Sequence, residues 1–387
     1  MPRPSQELMG ESRLIGRDSL LFLVEEFVRR ESPSRDKPAL DLWAEHLMRL
    51  LRSHTPFVEV VANPQGGDHI FARFPGPTKR RPALVLGHFD TVWSKGTLER
   101  MPFRVEDGRA FGPGIFDMKA GLAIFCWVMS EAFKVLDRPV PRPIWALFTS
   151  DEEIGSPTSR SLIEKLAREC AYCLVLEPPL ADGSLKTARK GVGRFRLEVE
   201  GRAAHSGVAP QDGRSAIIEL AHQVLRLQDL QDLAAGTTLN VGVIQGGTTA
   251  NVVPARASAE IDVRVASQAE ADRIAGALQS LRPATPDTRL EVSGGFTRPP
   301  MERSPAIASL FEQARRIGRT LGLELTEGAT GGGSDANFTA ALGVPTLDGL
   351  SARGGGAHAD DEHILIDSLP ERAALLAALL LELQVEP

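Results

Sequence analysis

Three apolar runs in this 387-residue chain, Ala83 to Leu86, Ile144 to Phe148 and Cys173 to Leu176, show no polar alternation. A strand with one wet face alternates, so runs that do not alternate belong to strands covered on both faces. Helices must supply the cover. Met118 to Leu136, helical in pattern and opened by the Gly/Pro turn FGPGIFD, lies between the first two runs. Strand, crossover helix and parallel strand make a βαβ unit, which commits this part of the chain to an α/β sheet. Apolar residues at three- and four-residue steps predict two earlier helices, over Asp18 to Arg30 and Ala39 to Arg52.

After Lys186 the pattern changes. RFRLEVEG (194–201) alternates as a half-solvated strand does, and a helix is predicted over Ser215 to Leu230. TLNVGVIQ and ASAEIDVRV read as two more strands, Gln268 to Leu281 as a helix, and RLEVSGG as a closing strand. The order β-α-β-β-α-β is that of the split βαβ, ferredoxin-like motif. Beyond Thr297 come a helix over Pro305 to Leu321, a glycine-rich loop, the apolar run GVPTLDGL and a leucine-rich helix. The expected fold is therefore a larger α/β domain over 1–187 and 298–387, interrupted by a small α+β domain over 188–297. A chain this long exceeds one ordinary hydrophobic core, which agrees with two domains.

In open α/β sheets ligands bind beyond the carboxyl ends of the strands. Here the first run is followed by His88-Phe89-Asp90, the second by Asp151-Glu152-Glu153 and the third by Glu177. Parallel neighbours would bring those ends to one edge, where clustered carboxylates repel unless a divalent cation joins them. Residues i and i+2 of an extended segment point the same way, so Asp90 can accept from the second ring nitrogen of His88. Adjacent Glu152 and Glu153 point differently, which suits one to metal binding and the other to proton transfer. Asp117 stands between a glycine-rich turn and a helix start, where a helix cap is the alternative reading. Without a GK[ST] that turn is no nucleotide loop. Downstream, His358 and His363 are both candidate ligands.

A formal charge of −6 and the lack of any Lys/Arg-dense run leave no footprint for nucleic acid. No apolar stretch is long enough for a bilayer, and MPRPSQELMGESRL has no apolar signal-peptide core. Three cysteines argue against a disulfide framework, and Cys170 and Cys173 read as packing residues. A cytoplasmic location is expected.

Eight motifs, HFDTVW, GPGIFDMKAG, TSDEEIGS, LEP, GRAAHSGVAPQDGRSAI, NVVP, GGGSDANF and GGGAHADDEHI, resemble in order and spacing a co-catalytic zinc family. That family holds glutamate carboxypeptidases, acetylornithine and succinyl-diaminopimelate deacylases and aminoacylases. The resemblance runs from about residue 80 to 365 and implies a zinc-binding α/β domain with an inserted dimerisation or lid domain. It implies two zinc ions, with cobalt or manganese as substitutes, bridged by Asp117. His88 and Glu177 would hold one ion, Glu153 and His358 the other. The family histidine matches His358 rather than His363, because an acidic residue, Glu362, follows four positions later.

By the same resemblance Asp90 orients His88, Glu152 is the general base for metal-activated water, and His205 steadies the oxyanion in the neighbouring subunit's site. Arg264, Asn251, Gly332 and Gly333 would hold the carboxylate of the departing amino acid; apart from the resemblance, Arg353 is a candidate second anion contact because it lies in the same glycine-rich loop as His358. Ser334 and Asp335 read as loop structure. The expected activity is release of a C-terminal amino acid, glutamate-like, from an N-acyl or peptidyl substrate by a homodimer without nucleic-acid or membrane partners. The alternatives are an N-acyl-amino-acid deacetylase or desuccinylase and, from other classes, a metal-free binding module or a structural scaffold.

Overall fold

The structure, a computed structural model, describes residues 16–77, 79–133 and 140–385. The stretch MPRPSQELMGESRL and the end of the helix expected to reach Leu136 lie outside these residues. The chain divides into two compact units, one of residues 1–188, 303–330 and 334–387, the other of 189–302 and 331–333.

The larger unit is built on an eight-stranded sheet. Its strands run in the order Val58–Val61, His69–Phe74, Ile144–Thr149, Ala83–His88, Tyr172–Val175, Thr346–Asp348, Leu185–Arg189 and Glu327–Thr330. Ala83–His88 is central and pairs in parallel with Ile144–Thr149 on one side and Tyr172–Val175 on the other. All six of its residues are buried, as the absence of alternation requires. Every residue of the helix Ala120–Trp127 is also buried, and along the closing helix Ser368–Glu382 Leu375, Leu376, Leu379 and Leu380 have no exposure. Each such leucine contributes about 1.5–3 kcal/mol over its exposed state, so this core dominates the stability of the unit. The first two helices are Arg17–Val28 and Lys37–Arg52, the second capped by Asp36, whose carboxylate accepts the Ala39 amide at 3.1 Å. Trp43 from this helix stacks on Phe89 with ring centres 4.9 Å apart, which pins the segment just beyond His88.

The chain does not enter the crossover helix smoothly. Asp117 and Met118 have non-helical backbone angles, and regular helix starts only at Ala120. At Gly121 the helix passes so close to the third strand that a Cβ would collide with the carbonyl oxygen of Leu176. A small antiparallel sheet not legible in the apolar pattern joins Gly354–Gly355, His363–Leu365, Arg109–Phe111 and Arg104–Glu106. These strands are two or three residues long, below what periodicity can register.

In the smaller unit the strands Gly191–Glu200, Thr238–Gly246, Arg256–Val265 and Arg289–Arg298 form one antiparallel sheet in the order second, third, first, fourth. Helices Ala216–Gln228 and Gln268–Gln279 complete the β-α-β-β-α-β order. Leu197, Val199, Leu220, Ile261, Val263 and Ile274 make its separate core.

Candidate metal centre

The parallel register sets the ends of the three buried strands level. His88 lies opposite Thr149, two residues before Asp151, and Leu86 lies opposite Val175, two before Glu177. The ladder continues past the strands, with the Phe89 amide on the Thr149 carbonyl and the Leu176 amide on the Leu86 carbonyl, both at 3.0 Å.

At this edge two triads of ligand atoms share one carboxylate. His88, Asp117 and Glu177 make one, and Asp117, Glu153 and His358 the other, all atoms of a triad lying within 4.8 Å of each other. His88 Nε2 is 3.2 Å from Asp117 Oδ1 and 3.5 Å from Glu177 Oε1. His358 Nε2 is 3.4 Å from Asp117 Oδ2 and 3.3 Å from Glu153 Oε1. Asp117 thus faces each triad with a different oxygen. The alternative reading of Asp117 as a helix cap does not describe this side chain, which makes no capping hydrogen bond.

Nearby groups hold the ligands in place. His88 Nδ1 lies 3.0 Å from the carbonyl oxygen of Asp90 and 3.4 Å from its carboxylate, so the backbone is the nearer acceptor. The Asp90 carboxylate accepts from Ser34 Oγ at 2.7 Å and from the Glu152 and Glu153 amides at 3.1 and 3.2 Å. Glu152 is buried and belongs to neither triad. Asp151 turns away altogether. Its two oxygens accept from the amides and hydroxyls of Thr158 and Ser159, which anchors the loop ahead of helix Arg160–Glu169.

The electrostatics call for positive charge. Burial opposes protonation of His88, yet its contacts with Asp117, Asp90 and Glu177 push its pKa well above the ordinary imidazole value. Asp117 and Glu153 push His358 up to about 11. Burial raises the Glu153 carboxyl to about 7 against the pull of His358. Burial also opposes ionisation of Asp117, but the two imidazoles hold its carboxyl below the usual range. Glu153 Oε1 is buried without an aligned hydrogen bond even though His358 Nε2 is close, an arrangement suited to two ligands of one ion. Imidazole and carboxylate donors in this ratio fit zinc. The residues present therefore fit a pair of divalent cations.

His363 is in neither triad; it sits on the small sheet with its ring against Phe111 and its Nδ1 2.8 Å from the Asp361 carbonyl. Arg353 meets Glu371 at 3.3 Å. Ser334 donates to Asp348, and Asp335 accepts from Ser156 and Thr149, so both brace the loop. The three cysteines are free and buried, and burial pushes the Cys170 thiol up to about 12.

Arg264, Asn251, His205, Gly332 and Gly333 belong to the smaller unit. Arg264 forms a two-pronged pair with Asp262 at 2.8 and 3.1 Å. Asn251 is exposed and accepts from Thr249 Oγ1, and exposed His205 accepts the Gly207 amide on Nδ1. The carbonyls of Gly332 and Gly333 both accept from Arg189 Nη1. Sequence patterns did not reveal Arg189, Ser34 or the anchoring role of Asp151, because each acts through a partner remote in the chain or through backbone atoms.

Residues 84–382 match the profile described as "Peptidase family M20/M25/M40". The chain is 33% identical over 327 residues to carboxypeptidase G2 of a Pseudomonas species, covering 82% of this chain and 77% of that protein. It is 29% identical over 345 residues to succinyl-diaminopimelate desuccinylase of Delftia acidovorans, covering 82% and 85%. The fold superimposes on an M20 family metallo-carboxypeptidase of Sulfolobus solfataricus with a TM-score of 0.72, at 18% identity over 93% of this chain and 98% of that one. Among the described residues no helix is long and apolar enough to cross a membrane. The profile match and the carboxypeptidase likeness together establish that this chain belongs to peptidase family M20/M25/M40, and so to the metal-dependent hydrolases.

Proposed function

We propose that the protein hydrolyses the amide bond of an N-acyl or peptidyl substrate and releases a C-terminal amino acid, glutamate-like, at a site of two zinc ions. His88, Asp117 and Glu177 would hold one ion, and Asp117, Glu153 and His358 the other. The observation that carries this reading is Asp117, which presents one oxygen to each triad. Bound zinc supplies the Lewis acidity that makes water acidic and the scissile carbonyl electrophilic.

Glu152, buried beside the ligands but in neither triad, takes the proton of the attacking water. The new C–O bond forms as the carbonyl π electrons move to oxygen. Glu152 then returns the proton to the departing nitrogen as the C–N bond breaks. Asp90 keeps Glu152 in reach through its amide and steadies His88. The free carboxylate that the departing amino acid already carries in the substrate is assigned to Arg264, Asn251, Gly332 and Gly333, with Arg353 as a further contact. Arg264 already holds Asp262, so a substrate carboxylate would have to share that guanidinium fork or displace its partner.

A homodimer is part of the proposal. Thr238–Gly246 is an edge strand that exposes Val243 and Ile244, and Ile217 and Ile218 on the preceding helix Ala216–Gln228 are exposed as well. Identical edge strands can pair antiparallel about a two-fold axis, which would cover these side chains. In that dimer the partner subunit's His205 would serve as the donor to the oxyanion. Free, buried cysteines suit the cytoplasmic location that completes this reading.

Likeness to succinyl-diaminopimelate desuccinylase supports a second reading, deacylation of an N-acyl amino acid. Rates of zinc-loaded protein on aroyl- and peptidyl-glutamates against N-acetyl and N-succinyl amino acids separate the two. Preference for the small acyl groups would overturn the carboxypeptidase assignment.

A further inference from the structure

The bridging carboxylate and His358 arrive from segments about 240 positions apart, yet both must stay in register with His88 and Glu177. One side chain ties those segments together. Glu362 is completely buried. Its Oε1 accepts the Phe116 and Asp117 amides at 2.9 and 3.1 Å, and its Oε2 accepts the Gly114 amide at 2.9 Å and the Trp93 indole N–H at 2.8 Å. Its backbone adds to the same junction, the Gly112 amide donating to the Glu362 carbonyl at 3.3 Å and the Glu362 amide to the Ala359 carbonyl at 3.0 Å.

We propose that Glu362 is a positioning residue that fixes Asp117 and His358 relative to each other, so that the two cation sites form as one unit. This rests on the metal-centre reading above and extends it to a residue that touches neither ion.

The segment before Asp117 has two backbone bonds of its own, the Ile115 amide donating to the Gly112 carbonyl at 3.2 Å and the Lys119 amide to the Gly114 carbonyl at 2.9 Å, and Glu362 takes three further amides of the same turn. Gly114 is left-handed (φ 71°), and a Cβ there would lie 2.5 Å from Thr91 Cγ2, so close contact as well as hydrogen bonding shapes the turn. Four donors converge on two oxygens, which matches the acceptor capacity of a carboxylate and is poorly served by an amide, since an NH2 would meet N–H groups. Lys119, on the same turn, is itself buried, its Nζ donating to the Arg30 carbonyl at 2.7 Å. The His358 loop is braced from the same side. Trp93 carries the Arg100 guanidinium over its ring at 5.4 Å, and Arg100 pairs with Asp360 at 2.5 Å. Trp93, Glu362 and Arg100 thus link the loop of one ligand to the loop of another, as groups behind a metal ligand commonly do.

The test is competition of the purified full chain against a chromophoric zinc chelator, with thermal unfolding recorded for each metal-free protein. Glu362→Gln is expected to keep the fold and to lose roughly 10- to 100-fold in affinity at both sites together. Wild-type affinity in a folded Glu362→Gln protein, or loss at one site alone, would overturn the proposal. If Glu362→Gln does not fold, Glu362→Asp decides in the same assay, because it keeps the charge and shortens the reach; undiminished affinity there overturns the proposal equally. Failure of the wild-type chain to bind zinc would instead remove the metal-centre reading itself, an outcome distinct from either.

Discussion

The carboxylate of Asp90 accepts the backbone amide of Glu152 at 3.1 Å, so the residue that steadies the first-strand histidine also holds the turn of the proposed base. Its second oxygen takes Ser34 and the Glu153 amide. One buried residue, with its carbonyl toward His88 and its carboxylate on the Glu152 and Glu153 amides, therefore sets the spacing between a proposed ligand and the proposed base from two different strands.

Asp90→Ala should accordingly lower both activity and stability. Each buried donor left without an acceptor costs about 1–3 kcal/mol. Denaturant unfolding of the metal-free variant should show a loss of that size, and turnover should fall even with zinc in excess.

Glu152→Gln should separate binding from chemistry. Because Glu152 is in neither triad, metal content measured by elemental analysis should equal wild type, while turnover falls by roughly 10²- to 10⁴-fold or more. Wild-type turnover would remove its role as base.

Metal affinity should rise with pH. His358 is held up to about 11 and Glu153 up to about 7, so metal must displace protons from both. Zinc addition in weak buffer should release protons, and chelator competition should give tighter binding at about pH 8 than at about pH 6. The sign for the metal-free fold follows from Glu153. Its carboxyl is raised on folding, so the stability it lends is complete below the ordinary carboxyl value and lost as pH climbs through about 7.

Two inactive variants should rescue each other if the site is shared across a dimer. Mixed and exchanged, His205→Ala and Glu152→Gln subunits should recover about one quarter of wild-type turnover, since half the dimers are hybrids and each has one complete site. Light scattering of Ile244→Glu should report a monomer that has lost activity. No recovery on mixing, or a wild-type chain that scatters as a monomer, counts against the trans role of His205.

Gly121→Ala should destabilise despite the usual preference for alanine in helices. The helical gain is about 0.5–1 kcal/mol, whereas the new methyl would collide with the Leu176 carbonyl and cost about 1–3 kcal/mol. A lowered melting temperature is the expected readout.

Much of the site could be read from local chemistry. Runs without alternation require burial on two faces, and the polar residues that end them must then gather at one sheet edge. That logic leads to His88, to the Asp151–Glu153 cluster and to Glu177 without any coordinates, because strand direction and side-chain period are properties of the backbone itself. It says less about what each carboxylate does. Asp151, chemically equal to its neighbours, turns to Thr158 and Ser159, while Glu153 faces His358. His358 and His363 are nearly indistinguishable in the sequence, yet one closes a triad and the other lies on Phe111. Side-chain direction at a turn is decided by whichever donor or acceptor the rest of the chain delivers there. Some of those partners, Thr158 and Ser159, lie a short loop away, but others, His358 and Glu362 among them, come from about two hundred residues away or more, and only the folded packing brings them within a hydrogen bond's length.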